Sequence, residues 1–374
     1  MKNFSNKVQI FLVYLYFILP HNYFNNDGWS AIKPHDIIAC LIGISLFSKG
    51  SSKAPIYLIL FSMWYLIRSL FAVSEIGIFA LGYGCKFLEY VIIYYALNNL
   101  KINHLINLFK IIFYSIVFYM ALELCGIKLG PSWGDRFSGP YGGPYELGAI
   151  CMALLLLKSN NYFEKIVLFI AMLLSGAKAS ILAFVTAKIK IKSIKGVITI
   201  ILILIIVILT SERLNELFDS IYKLVDFDFF LLFDSVPYTL TSEEYNNAWF
   251  LREDFSSKSG IDWSTASRLY TYILALKSMN YYQIIFGKGP GFFGIALDSS
   301  FLRVFGESGI VGFFLMYLML RQLFIKIANK EITTAVIINM LFVDILFSAR
   351  FLPLLFAIYI YVCNLNKIDV NSNN

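Results

Sequence analysis

The chain has 374 residues, of which 59% are Ala, Val, Ile, Leu, Met, Phe, Trp, Tyr or Cys and only 15% are charged. An ordinary soluble domain carries roughly a quarter charged residues, and with a mean hydropathy of +0.71 this chain has too little polar cover for a water-facing surface. A soluble enzyme, a nucleic-acid binder and a disordered scaffold are thereby excluded, and the chain reads as an all-α polytopic membrane protein. The net charge of +7 belongs with cytoplasmic loops, where Lys and Arg collect, and not with nucleic acid.

In chain order, a basic start precedes an apolar run over 8–20, and no small-residue cleavage site follows, so this run is taken as the first spanning helix. Further apolar runs lie at about 36–48, 55–72, 76–97, 104–126 and 145–158. The stretch 163–188 is long enough for one helix but has Lys178 near its middle. Lysines flank it on both sides: Lys158 and Lys165 before, Lys188, Lys190, Lys192 and Lys195 after. Both flanks therefore read as cytoplasmic, and a hairpin turning at Ser175-Gly176-Ala177-Lys178 satisfies them without burying the lysine. A run at 194–210 follows, then a polar stretch of 87 residues over 211–297, then runs at about 299–320, 331–347 and 351–364.

This gives 12 spans with both ends cytoplasmic, in three regions: 1–210, 211–297 and 298–374. Fifteen basic residues fall inside (Lys2, Lys7, Lys49, Lys53, Lys101, Lys158, Lys165, the four lysines of 188–195, Arg321, Lys326, Lys330 and Lys367). Five fall in the short outer loops: Lys33, Lys128, Arg136, Lys178 and Arg350. That bias is the one expected of the orientation. The long outer segment holds seven basic and eleven acidic residues and still keeps apolar runs such as 227–233. It reads as a small helical cap on the membrane surface, helical over 266–285 and broken at Phe286-Gly287-Lys288-Gly289-Pro290-Gly291.

The outer face gathers the residues able to carry chemistry. Between spans five and six stands Asp135-Arg136-Phe137-Ser138-Gly139-Pro140-Tyr141-Gly142-Gly143-Pro144-Tyr145, whose glycines and prolines fix an irregular backbone that a ligand can approach closely. Arg136 lies in it, Lys178 in the hairpin, Arg252 and Arg268 in the long segment, Arg303 in span ten and Arg350 between the last two spans. Guanidinium groups suit phosphate, so an anion held at the outer face is expected, with lipid headgroups and the acids of the cap as the competing partners. Arg136, Lys178, Arg268 and Arg303 are expected to converge, with Arg350, Tyr141 and Tyr145 completing the substrate-binding set. Asp298 is the leading candidate for a base, ahead of Glu243, Glu244 and Asp262, although the start of a helix would equally use it as a cap. Within the spans, Lys86 with Glu89 and Arg303 with Glu307 have the spacing of helical ion pairs, and Arg68 stands alone. The five cysteines show no CxxC spacing and the three histidines are scattered, so no metal site is indicated.

Three stretches resemble the O-antigen polymerase and ligase superfamily of bacterial inner-membrane glycosyltransferases. They are Arg136-Phe137-Ser138-Gly139-Pro140; Leu174-Ser175-Gly176-Ala177-Lys178-Ala179-Ser180, with Lys178 where the family commonly has Arg; and Ser267-Arg268, Phe286 to Gly291, Asp298-Ser299, then Gly309-Ile310-Val311-Gly312. In the last stretch Asp298 stands where the ligases carry His, which argues against a ligase and suits a polymerase. The resemblance implies a GT-C-like helical fold in the bacterial inner membrane with its long loop in the periplasm. It also implies substrates that are undecaprenyl-diphosphate-linked oligosaccharides, with no metal or nucleotide-sugar cofactor and no nucleic acid. Partners would be membrane lipids, a flippase and a chain-length regulator. The alternatives are transfer of the glycan to a lipid A core and transport of lipid-linked sugars. Transport is disfavoured because the outer cations and the single large outer segment lack the inverted symmetry usual in transporters.

Overall fold

The computed structural model describes residues 2–20, 33–46, 54–128, 136–157, 161–188, 241, 243–244, 263–293 and 297–372. Asp135, Arg252, Asp262, the run at 194–210 and most of the expected cap lie outside the described residues. In order come α1 (Lys2–Ile18), α2 (Pro34–Leu46), α3 (Ile56–Ile76), α4 (Phe79–Asn98), α5 (Ile102–Leu124), α6 (Pro144–Leu155), α7 (Tyr162–Leu174) and α8 (Lys178–Lys188). Then follow α9 (Trp263–Lys277), α10 (Tyr281–Phe286), α11 (Ser300–Ile327), α12 (Lys330–Phe342) and α13 (Phe351–Ser372). The described residues contain no strand. Among them α3, α5 and α11 are long and apolar enough to cross a membrane; Asn6–Ile18, Pro34–Leu46, Pro144–Leu155 and Phe351–Asn366 are shorter apolar helices.

The expected turn in 163–188 is present. α7 opens on a capping box in which the Asn161 side chain accepts from the Glu164 amide, and it ends at Leu174. Gly176 then takes a positive φ of 60°, a conformation that costs an L side chain but not glycine. The rings of Phe169 and Phe184 lie 6.0 Å apart between centroids. Fifteen residues of one straight helix would separate them by about 22 Å, so the chain doubles back. α6 is buried along almost its whole length, as suits a helix apolar on every side. It starts at Pro144, whose missing N–H is no loss at a helix start. Its Gly148 allows a close crossing: a Cβ there would lie 2.5 Å from the Cβ of Ala177.

Three expectations are corrected. The helix over 266–285 is interrupted at 278–280, where Asn280 accepts from the Gln283 amide and starts α10 with a second capping box. The run at 299–320 is kinked, with Gly309 non-helical at φ 68°. The run at 331–347 stops being helical at Phe342, after which residues 343–350 form turns.

The chain divides into two compact units: residues 1–66, 84–187 and 314–374 in one, and 67–83 and 188–313 in the other. Each unit is assembled from separated stretches. The core of the first includes the tilted and edge-on rings of Phe61, Tyr65, Phe87 and Tyr90, with neighbouring centroids 4.6–5.6 Å apart. The second is built on Tyr270, Leu274, Ala275, Phe292, Phe293 and Leu297.

Candidate functional site

In the first unit the Gly/Pro loop is tied down on several sides. The two carboxylate oxygens of Glu123, near the end of α5, accept from the Ser138 and Gly139 amides at 3.3 and 2.7 Å. Glu146, in the first turn of α6, accepts from the Gly142 amide at 2.8 Å, from the Ser348 hydroxyl at 2.6 Å and from the Arg350 amide at 3.1 Å. Carboxylate to amide bonds are charge-assisted and stronger than neutral ones, so this irregular backbone is held in one shape. Arg136 leaves the loop to donate to the carbonyls of Ser175 and Gly176, at 3.0 and 3.1 Å. Arg136 and the half-buried Lys178 are thus neighbours at the α7–α8 turn.

Arg350 and Tyr141 are fully buried. The Arg350 guanidinium donates to the carbonyls of Tyr16 and Leu19, at the C-terminal end of α1, and to Pro140. A cation there satisfies carbonyls left over at a helix end and favours the helix dipole. It also lies over the Tyr141 ring, 5.4 Å from the centroid. The Tyr141 hydroxyl has no hydrogen-bond partner among the described residues, and burial pushes its pKa well above the ordinary tyrosine value. Tyr145 is partly exposed.

The pair expected of Lys86 and Glu89 forms, at 2.6 Å, within a larger group. The Lys86 ammonium also lies 3.0 Å from Asp36 and 3.1 Å from Nε2 of His35. His35, Asp36 and Glu89 offer ligand atoms within 4.8 Å of one another, and the ammonium supplies the cation that such a group calls for.

In the second unit Arg268 of α9 donates through Nε to Oδ2 of Asp298 at 2.7 Å, with both side chains more than a third exposed. Asp298 is not the cap of the following helix. Ser299 is: its hydroxyl oxygen accepts from the Leu302 amide, and its carbonyl accepts from the Arg303 amide. Arg303 is buried, pairs with the fully buried Glu307 at 3.2 Å and lies over the Tyr83 ring.

The glycine-rich loop 287–291 fits against the kink in α11. Lys288 and Gly289 donate their amides to the carbonyls of Gly306 and Glu307, at 2.8 and 2.9 Å, and the Gly291 amide reaches the Glu307 carboxylate at 3.1 Å. A Cβ on Gly287 would stand 2.3 Å from the backbone of Glu307, and one on Gly309 would stand 2.2 Å from the Ile285 carbonyl. Both positions have positive φ, so two backbones meet where no side chain fits. On its other side the loop meets α3. Arg68 donates to the Gly287 carbonyl at 2.9 Å, and Gly289 touches Ala72.

Of the residues expected at the site, Arg136 and Lys178 both lie at the α7–α8 turn of the first unit, Arg268 and Asp298 pair in the second, and Arg303, also in the second, pairs with Glu307. Arg350 and Tyr141 are internal ties of the first unit. Glu244 accepts from the Thr241 amide. Sequence reasoning missed the loop-holding acids Glu123 and Glu146, and it quoted Lys288 without giving it a role. Lys288 is 5% exposed, with its ammonium 4.3 Å from the centroid of the Phe292 ring. Burial pushes its pKa down to about 8, opposed by the carboxylate of Glu75. A lysine placed between glycines in a loop that must pack tightly was the signal available. No family model matches the chain, and no curated protein matches it.

Proposed function

We propose that the protein polymerises lipid-linked repeat units of a bacterial surface polysaccharide. It transfers the growing glycan from undecaprenyl diphosphate to a sugar hydroxyl of the next lipid-linked unit. The observation that carries this reading is that the second unit gathers Arg68 and the Arg303–Glu307 pair, from stretches as far apart as α3 and α11, around one glycine-rich loop, and holds the exposed Arg268–Asp298 pair in the same unit. A departing diphosphate needs fixed positive charge where its negative charge develops, and preorganised cations supply it without reorganisation. In this reading Arg268 is the exposed contact for the diphosphate, Arg303 contributes buried charge, and Arg136 and Lys178 bind anionic or glycan groups at the α7–α8 turn. Asp298, oriented by Arg268, faces the acceptor, and Tyr145 is the loop aromatic that a sugar ring can reach.

The same reading places the chain in the inner membrane with 12 crossings, several of them short, and with the long segment on the periplasmic side. Flippase and chain-length regulator are the partners it calls for. Ligation to a lipid A core is the same chemistry with another acceptor; Asp298, where the ligases carry His, favours polymerisation. The test is reconstitution: protein in liposomes receives the undecaprenyl-diphosphate-linked repeat unit, and products are resolved by length. A ladder of longer glycans on lipid is expected. Movement of the intact substrate across the bilayer without chain growth would replace the reading with transport.

A further inference from the structure

We propose that Lys288, as a neutral amine, takes the proton from the attacking sugar hydroxyl; this rests on the transfer reaction proposed above. The loop holds the residue still, since its own amide and those of Gly289 and Gly291 are bonded to Gly306 and Glu307 while Arg68 holds the Gly287 carbonyl. The amino group lies on the face of Phe292, which packs in one small core with Tyr270 and Leu274 of α9. Arg268, two residues before Tyr270, carries Asp298. Lys288 and the Arg268–Asp298 pair therefore border the same core, outside the apolar runs assigned to the membrane.

Burial favours an amine that can be neutral, against the pull of the Glu75 carboxylate. α3 contributes Arg68 and Glu75, α4 contributes Tyr83, α11 contributes Arg303 and Glu307, and α9 contributes Arg268 with its partner Asp298. The guanidiniums keep their charge at any pH the protein meets. Arg68 and Arg303 are buried, and the one fully buried carboxylate in this set, Glu307, accepts from Arg303 and from the Gly291 amide. A third complete positive charge in that setting is disfavoured by desolvation. With its pKa near 8, the residue has a sizeable neutral fraction close to neutral pH, the range that suits a general base. The acids fit that role less well: the Asp298 carboxylate is engaged by Arg268, and Glu244 by the Thr241 amide.

In the step, the acceptor oxygen bonds to the anomeric carbon as the bond from that carbon to the diphosphate oxygen breaks, and the diphosphate leaves with the bonding pair. The hydroxyl proton passes to Nζ of Lys288. The resulting ammonium then gives it to the departed diphosphate or to water, which restores the amine.

Chain growth is measured in liposomes from about pH 6 to about pH 9 for the wild type, Lys288→Arg and Lys288→Met, beside binding of the lipid-linked repeat unit to the same vesicles. The wild-type rate is expected to rise with pH and level off above about 8. Both variants are expected to lose roughly 10²-fold or more in rate, together with the rise, while binding stays within a few-fold. Lys288→Arg growing chains at the wild-type rate would overturn the proposal, since arginine keeps the charge and cannot accept the proton. A wild-type rate that is flat or falls through pH 8 would overturn it too, and that profile needs no variant to fold. Absence of chain growth by the wild type at every pH would remove the transfer reaction itself, and the Lys288 role with it.

Discussion

Asp298 and Ser299 are adjacent, yet they face different partners. The hydroxyl of Ser299 satisfies an amide in the first turn of α11, whereas the Asp298 carboxylate reaches sideways to Arg268. Ser299→Ala is expected to lower stability by about 1 kcal/mol in a detergent melt and to leave the reaction rate largely intact. Asp298→Asn is expected to cost about 1 kcal/mol of stability or less, because the ion pair it breaks is more than a third exposed on both sides. Its rate of chain growth should fall several-fold because Arg268 loses the carboxylate that orients it, while the rise of the rate with pH is kept. Wild-type chain growth by Asp298→Asn would leave Asp298 a structural partner of Arg268. The sequence placed both residues at a helix start but could not say which one caps it, since a shift of one residue exchanges the roles. Arg350 was less legible still. It is buried because it closes the end of α1, more than 300 positions earlier in the chain, and no local pattern announces such a partner.

At the scale of elements, the apolar runs among the described residues coincide with helices, and the lysines expected on one side at both flanks of 163–188 pointed to the α7–α8 turn that the structure has. The kink in α11 was hidden. Gly309 sits inside the run read as one span, just after Glu307-Ser308, and the backbone of Ile285 and Phe286 lying against it explains the glycine. The junction of the glycine-rich loop with that kink is the least tolerant place in the second unit. Gly287→Ala and Gly309→Ala each combine a left-handed backbone, about 1–2 kcal/mol for an L residue, with overpacking that costs about 1–3 kcal/mol. Each is therefore expected to destabilise by about 2–5 kcal/mol or to prevent folding. Gly82, in α4, has nothing within 4 Å of the position a Cβ would take and no positive φ, so Gly82→Ala should be neutral or stabilise by up to about 1 kcal/mol. Thermal unfolding of the three variants side by side checks this, and similar melts for all three would deny the tight junction.

For the whole molecule, helix length bears on how the chain crosses a bilayer. α3, α5 and α11 satisfy the length requirement directly. α7 and α8 have 13 and 11 residues, about 20 Å and about 17 Å of helix, short of the roughly 30 Å hydrocarbon layer. They fold back on each other through Phe169 and Phe184, so in the 12-crossing reading they are two short crossings joined at the turn, and everything after residue 188 is expected to keep the orientation of what precedes residue 162. This has a consequence that does not depend on function. Cys125, exposed at the end of α5, should lie outside, and Lys330, exposed at the start of α12, should lie inside. With the other cysteines replaced, an impermeant thiol reagent added to intact cells should label Cys125 and should not label a cysteine substituted for Lys330 until the membrane is opened. Ala177, the position at the turn itself, is buried and would report packing instead of sidedness. Labelling of both sites from outside would mean that 163–188 crosses once, which would put the glycine-rich loop, Lys288 and the Arg268–Asp298 pair on the cytoplasmic side. In the proposed reaction the lipid-linked repeat units are polymerised on the periplasmic side and would then never meet them, so sidedness and that reaction stand together.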